Sequence, residues 1–303
     1  MIVRDRPNAI VLLFALRGSI VPEILPHILG VASFAAVITA IGQFHLWEMG
    51  GLTVMPVTLL GIVLSILLGF RNNACYDRWW EARKHWGAMV FEVRSLARAS
   101  ASLFGESSTV RRRLLMLVLG YAHSLRGQLR GEDVREDLAP WLDQITIDDA
   151  WAKQNRPDGF LQQAGKMLGE ELAQRRLDSM GLKILDERLT ALSAIQASCE
   201  RIATTPLPFA YTLIVHRTAF LYCYLLPFAL VGAIGWATPV LAAIVAYTFF
   251  GMDKLSEHLE TPFGRDPNDL PLDALCRIHE ISVAEALGDT APAPLFARDY
   301  LLQ

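Results

Sequence analysis

Ile62, Ile66 and Phe70 recur at four-residue intervals, and Gly61, Ser65 and Gly69 keep step with them one position earlier. None of the six is charged, so what they offer is shape and water-repellence rather than acid–base work. Residues four apart lie on one face of a helix, so the segment presents a bulky apolar stripe beside a stripe of small residues. Small residues let neighbouring helices approach closely. If identical helices ring an axis, the small stripe seats each helix on its neighbour and the bulky stripe narrows the hole. A tight ring of Ile and Phe repels water and gates by dewetting, with no charge required. The same six residues also suit plain burial between helices, and spacing alone leaves both readings open.

Other reactive types are thinly spread. HExxH, GxSxG and P-loop patterns are absent. His258 follows Glu257 and His279 precedes Glu280, but neighbours on a helix point about 100° apart, so neither pair is a ready-made dyad. The four cysteines, Cys75, Cys199, Cys223 and Cys276, form no CxxC motif and read as reduced thiols packed in helices. After Pro262-Phe263-Gly264 come Asp266, Asn268, Asp269 and Asp273. Calcium takes six to eight oxygen ligands, which these residues could supply with carbonyls and water. A helix start explains the same types, with Asp269 as its cap and Asp266-Pro267 as a turn. No catalytic residue and no firm metal site emerge. The net charge of −3, with Arg111–Arg113 as the one tight basic run, provides no field for nucleic acid.

The elements that would carry the stripes are membrane helices. The chain of 303 residues is 52% hydrophobic and only 19% charged, below the roughly 25% charge of a typical soluble domain. Ile24 to Trp47 and Leu52 to Phe70 are free of Asp, Glu, Lys and Arg and long enough to span, with Trp47 as an interfacial anchor, Gly50-Gly51 as the turn and Pro56 in the second helix's first turn. Thr218 to Met252 is charge-free over 35 residues, about 52 Å as one helix and too long for one crossing. Gly232, Gly235 and Pro239 break it into a hairpin reaching from near Leu207 to near Leu255. The apolar run Ala9 to Leu16 lacks a cleavage site, so no signal peptide is read there. Arg4, Arg6 and Arg17 precede the first span, Arg71, Arg78, Arg83 and Lys84 follow the second, and Arg217 and Lys254 flank the hairpin, whereas both short turns lack Lys and Arg. Both termini and the middle segment are therefore expected in the cytosol, with Arg217 at the inner water boundary.

This gives an all-α membrane protein: a cytosolic or interfacial segment 1–23, a helix pair 24–70, a cytosolic helical region 71–206, a second pair 207–255 and a cytosolic helical segment 256–303. Within the cytosolic region the expected helices are Val110 to Gln128, amphipathic with an apolar core too short to span, then Asp148 to Leu172 with a turn at Arg156-Pro157-Asp158-Gly159, and Arg175 to Ala203. Pro206 and Pro208 end the last of these. A final helix, Leu272 to Leu287, is closed by Gly288. Past Phe70 the second span's helical pattern continues into charge and tryptophan: Trp79, Trp80 and Trp86 suit an interface or a junction, and Asp77 and Glu81 are placed to pair one turn away.

At this point "LGFRNNACYDRWWEARKHWG", "TPLPFAYTLIVHR" and "LSEHLETPFGRDPNDLPLDALC" resemble the signatures of bacterial bestrophins, in that family's order and over most of the chain. The resemblance implies a homopentamer of all-helical subunits, each with four membrane helices and a large cytosolic part, in the bacterial inner membrane, with one axial ion pathway. It implies a hydrophobic neck on the second membrane helix at positions that match Ile62, Ile66 and Phe70, and a second, cytosolic constriction, for which Met180, read as lying on the loop before Leu182, is the candidate. Animal relatives are calcium-activated chloride channels with a denser acidic run after the "PFG" and more aromatic necks. Here the acidic run is thinned and two neck residues are Ile, so the permeant ion reads as chloride by family and a monovalent cation such as sodium by the bacterial type. A membrane-bound enzyme and a non-conducting scaffold are the alternatives.

Overall fold

The computed structural model describes residues 1–3, 15, 18–44 and 54–303. The expectations on Arg4, Arg6, Arg17, Trp47, the Gly50-Gly51 turn and most of the run from Ala9 to Leu16 lie outside these residues. Among the described residues every regular element is helical; strand-type pairing is limited to isolated bridges near the termini. In chain order the helices are α1 Val21–Gln43, α2 Val54–Phe104, α3 Thr109–Arg130, α4 Arg135–Leu138, α5 Gln144–Trp151, α6 Arg156–Ala173, α7 Ser179–Thr204, α8 Phe209–Ile234, α9 Thr238–Glu260 and α10 Leu272–Leu287. They form two compact units: one of Arg4–Trp79 with Pro206–Thr261, the other of Met1–Val3, Trp80–Thr205 and Pro262–Gln303.

The first unit is the apolar one. Three stretches have the length and apolarity of a membrane crossing: Val21–Gln43, the start of Val54–Phe104, and Phe209–Glu260. The last is of double length and breaks in the middle, giving four helices. Gly235 takes a positive φ of 50°, a short 3-10 turn runs Gly235–Ala237, and Pro239 sits in the first turn of α9. Without a β-carbon glycine enters that region at little cost, and Pro tolerates a helix start because its missing N–H has no partner there anyway. Alanines do much of the close packing: Ala35, Ala219, Ala242 and Ala246 are buried with Ile24, Leu64, Leu68, Val215 and Phe250 in one cluster. In lipid, with apolar side chains equally content outside, such close backbone approach is what favours one arrangement.

α2 is a single helix of 51 residues, about 77 Å long at 1.5 Å per residue. It has no proline after Pro56 in its first turn, and it stops at Gly105, whose φ is +80°. The abrupt change from oil to charge at Arg71 therefore happens along one unbroken rod.

In the second unit, α3 is buried along nearly its whole length, and the Tyr121 hydroxyl donates to the Leu192 carbonyl at 2.7 Å. Its N-cap Ser108 accepts from Arg111 N and its C-cap Gly131 is left-handed. Trp86 and Met89 of α2 are fully buried in this unit, while Trp80 is half-exposed under the Arg83 guanidinium. Three local expectations need correction. Arg156-Pro157-Asp158-Gly159 is not a turn inside the stretch Asp148 to Leu172 but the first turn of α6, which begins there: Asn155 caps it by accepting from Asp158 N, and Pro157 fits a helix start. Asp269 does not cap α10, whose N-cap is Pro271 with no side-chain bond; its carboxylate instead accepts from Asp266 N at 2.8 Å, closing the loop. Met180 lies in the first turn of α7, capped by Asp178, rather than on a loop. Gly288 does close α10 in the left-handed form.

His279 on α10 is fully enclosed, and burial pushes its imidazole down to about 3, with His123 and Arg94 adding repulsion. In the unfolded chain a histidine takes up its proton near pH 6.5. The folded state refuses that proton, so stability should fall as pH drops from about 6.5 toward 3, and this component should be absent above that window. Thermal melting of the detergent-solubilised protein should show the loss, and His279→Phe should flatten it. An equally steep acid loss in His279→Phe would assign it to other groups.

Candidate functional site

The faces of α2 decide what it can do. Leu64, Leu68, Arg71 and Cys75 follow at four-, three- and four-residue steps and are all buried within the chain. On the other side Ile62, Ile66 and Phe70 are 53%, 52% and 63% exposed. Burial of all six stripe residues inside the chain is thus excluded; the bulky stripe is free to meet lipid, a second copy or an axial space. The small stripe divides. Gly61 is pressed against the Tyr222 ring, and a β-carbon there would come within 2.7 Å of its hydroxyl. Ser65 is exposed, and at Gly69 a β-carbon would meet nothing within 4 Å, so this part remains open to a neighbouring helix.

The orientation of α2 is fixed where the apolar run ends. Arg71 is only 2% exposed, and its guanidinium is hydrogen-bonded to Asp253 of α9 and lies 3.7 Å from Glu260. The second oxygen of Asp253 sits 2.7 Å from His216 Nδ1 on α8. Glu260 in turn accepts from Leu207 N at 3.1 Å, its backbone carbonyl accepts from Arg78 Nε at 2.7 Å, and the Tyr211 hydroxyl donates to the Leu67 carbonyl at 3.0 Å. Reading Arg71 as a mere marker of the water boundary missed this. The usable signal was its place seven residues after Leu64, on the inward face.

Neither Glu257-His258 nor His279-Glu280 pairs with itself: Glu257 pairs with Lys254 and Glu280 with Arg277, both three residues away. His258 Nε2 lies 3.2 Å from Glu23 Oε2, and Glu81 pairs with Arg201 at 2.5 Å. His123 Nε2 approaches Glu280 at 2.9 Å, at an angle unsuited to a hydrogen bond. The Ser256 hydroxyl donates to its own helix at Met252. Met180 is 61% exposed and belongs to the other unit.

A family model described as bacterial/fungal bestrophin matches residues 1–285. The chain belongs to the bestrophin family. A voltage-dependent anion channel-forming protein of Mesorhizobium japonicum is 51% identical over 300 residues, covering 99% of this chain and 96% of that one. The voltage-dependent anion channel-forming protein YneE of Escherichia coli K12 is 38% identical over 296 residues, covering 97% and 96%. The crystal structure of a bacterial bestrophin homologue from Klebsiella pneumoniae superposes with a TM-score of 0.85 at 36% identity, covering 88% of this chain and 99% of that one.

The loop after Pro262-Phe263-Gly264 tests whether this bestrophin has the makings of a calcium site, and its donors do not fit one. Asp273 faces three guanidiniums: Arg130 at 2.8 Å, Arg126 at 3.0 Å and Arg265 at 3.1 Å. Burial alone would raise its carboxyl, but Arg130, Arg126 and Arg265 hold it below the usual range. Asp269 is turned into the loop onto Asp266 N. Among the described residues no three His, Cys, Asp or Glu side chains converge as metal ligands. Arginine occupies the electrostatic place that a cation would take, and Arg265 is further fixed by Glu132 at 2.5 Å and 2.8 Å.

Asp273→Asn should therefore take the paired carboxylate from Arg130, with Arg126 keeping Asp137 and Arg265 keeping Glu132, and lower the melting temperature by several degrees, at about 2–4 °C per kcal/mol for a large domain. Calcium added to the wild type should leave the melting temperature where it is. A rise that scales with calcium and vanishes in Asp273→Asn would place the ion on this loop.

Proposed function

We propose that this chain is one subunit of a homopentameric channel that passes small monovalent ions along its axis through a neck formed by Ile62, Ile66 and Phe70. The observation that carries the reading is the division of α2: one face is anchored inside the subunit while three large apolar residues at four-residue spacing stay outside. An exposed apolar stripe of this kind needs a use, and the open small surface at Ser65 and Gly69 beside it suits a neighbouring copy's helix. Rings of Ile and Phe then form a dewetting barrier. Met180, exposed at the start of α7, is assigned to a second constriction.

The membrane is the bacterial inner membrane, with both termini in the cytosol. Supporting this orientation, Arg71, Arg78, Arg83, Lys84, Arg217 and Lys254 all border the same ends of the spans, and the hairpin tip Gly232–Pro239 has no Lys or Arg.

The relatives are named for anion channels, which makes chloride the first reading of the permeant ion. A second reading, a cation such as sodium, is compatible with the neck: two of its three rings are Ile, which prefers neither sign, so the anion preference of an aromatic edge is supplied by Phe70 alone.

Single-channel recording on reconstituted protein tests the neck. Ile66→Ala and Phe70→Ala should each raise unitary conductance about twofold or more, by widening and wetting the constriction, with the oligomer intact. Unchanged current in both variants would reject the assignment. A reversal potential under a salt gradient, repeated with the cation replaced by a bulky one, reads the ion: a potential that follows chloride in both supports the anion, and one that moves with the cation supports sodium.

A further inference from the structure

We propose that Asp253 is a positioning residue for conduction: it holds Arg71, and through it the rotation of the helix that presents Phe70. This rests on the neck reading above. Arg71 follows Phe70 directly, and successive helical residues point about 100° apart. Fixing the direction of one therefore fixes the direction of the other.

Three kinds of contact hold this part of α2. Leu64 and Leu68 pack into the apolar cluster of the unit, and the Tyr211 hydroxyl donates to the Leu67 carbonyl. Such packing favours one fit, yet a small rotation can exchange one apolar neighbour for another at modest cost. The Arg71–Asp253 pair allows no such exchange. A guanidinium is permanently charged, this one is 2% exposed, and a buried charge that loses its partner is strongly penalised. Charge-assisted bonds of this type are also directional. The apolar contacts thus hold the helix to the bundle while the ion pair sets its angle.

Asp253 is itself fixed. One carboxylate oxygen takes Arg71, the other faces His216 Nδ1 at 2.7 Å, and the side chain is 13% exposed. Glu260 stands at 3.7 Å as a second, looser counter-charge. Within this junction Arg71 faces both Asp253 and Glu260, and Arg78 Nε donates to the Glu260 backbone carbonyl. The positive charge next to the neck is directed into the subunit and held by carboxylates. Its role on this account is mechanical, and removing it should leave ion preference alone.

The experiment is single-channel recording of the reconstituted oligomer for Asp253→Ala, Asp253→Asn and the exchange Arg71→Asp with Asp253→Arg. Wild type should show one dominant conductance level. Asp253→Ala should split it into several levels and shorten dwell time at the main level by at least about tenfold, as loss of a buried partner implies. Asp253→Asn, which preserves shape, should fall between, and the charge exchange should restore the single level. Reversal potential should be the same in all. A merely structural role would reduce the number of channels recovered without altering their levels. Wild-type levels and dwell times in Asp253→Ala would overturn the proposal, as would an exchange variant no better than the alanine one. If Asp253→Ala fails to assemble, wild-type behaviour of Asp253→Asn overturns it instead. Ile66→Ala separates the two failures: no change there rejects the neck, whereas raised conductance there with undisturbed Asp253 variants rejects only the role of Asp253.

Discussion

A guanidinium at the end of an apolar span has two options: reach water, or find a carboxylate. In this chain Arg71 is turned inward to Asp253, and much of the membrane unit is arranged around that choice. It ties α2 to α9 directly and to α8 through His216. It also decides which face of α2 the subunit keeps. With Leu64, Leu68, Arg71 and Cys75 inside, Ile62, Ile66 and Phe70 have no place within the chain. The apolar stripe is thus left over by the same contacts that bury the opposite side, and the proposed assembly would give it its use.

Continuity of α2 matters for the same reason. A rod of 51 residues without an internal proline transmits rotation along its length better than two helices joined by a loop. Its first half lies in the apolar unit and its second half contributes Trp86 and Met89 to the core of the other. The helix is therefore held by ordinary soluble-type burial at one end and by close alanine-rich packing at the other. The two cores work on different physics: exclusion of water favours the first, whereas complementary fit favours the second.

The parts of this arrangement that were legible in the sequence are those encoded by short-range periodicity. Charge-free lengths gave the membrane helices, Gly235 and Pro239 the hairpin break, and four-residue recurrence the bulky and small stripes. What could not be read depended on distant partners: Arg71 with Asp253, 182 residues away, and Arg130 with Asp273, 143 residues away. A charged residue after an oily run looks the same whether it snorkels to water or is buried against a distant carboxylate. Local ambiguity explains the other misses. Arg-Pro-Asp-Gly suits a turn and a helix's first turn equally well, and the Asn155 cap decided it. Asp269 had the right residue type for a helix cap but was drawn into its own loop, and the thinned acidic run around Asp273 proved to be a counter-charge for arginines.

On the proposed reading, Phe70 looks onto a water-accessible axis shared by the subunits. The four native cysteines are buried, and burial raises the thiols of Cys199 and Cys276 to about 12, so a new thiol can be read against an inert background. The direct test is to record current from Phe70→Cys while a small charged thiol reagent is added from the aqueous side, with Leu221→Cys, on an exposed part of α8, as the control. The account predicts rapid, complete loss of current at position 70 and none at position 221. Full current after reagent treatment of Phe70→Cys, with the oligomer intact, would contradict it.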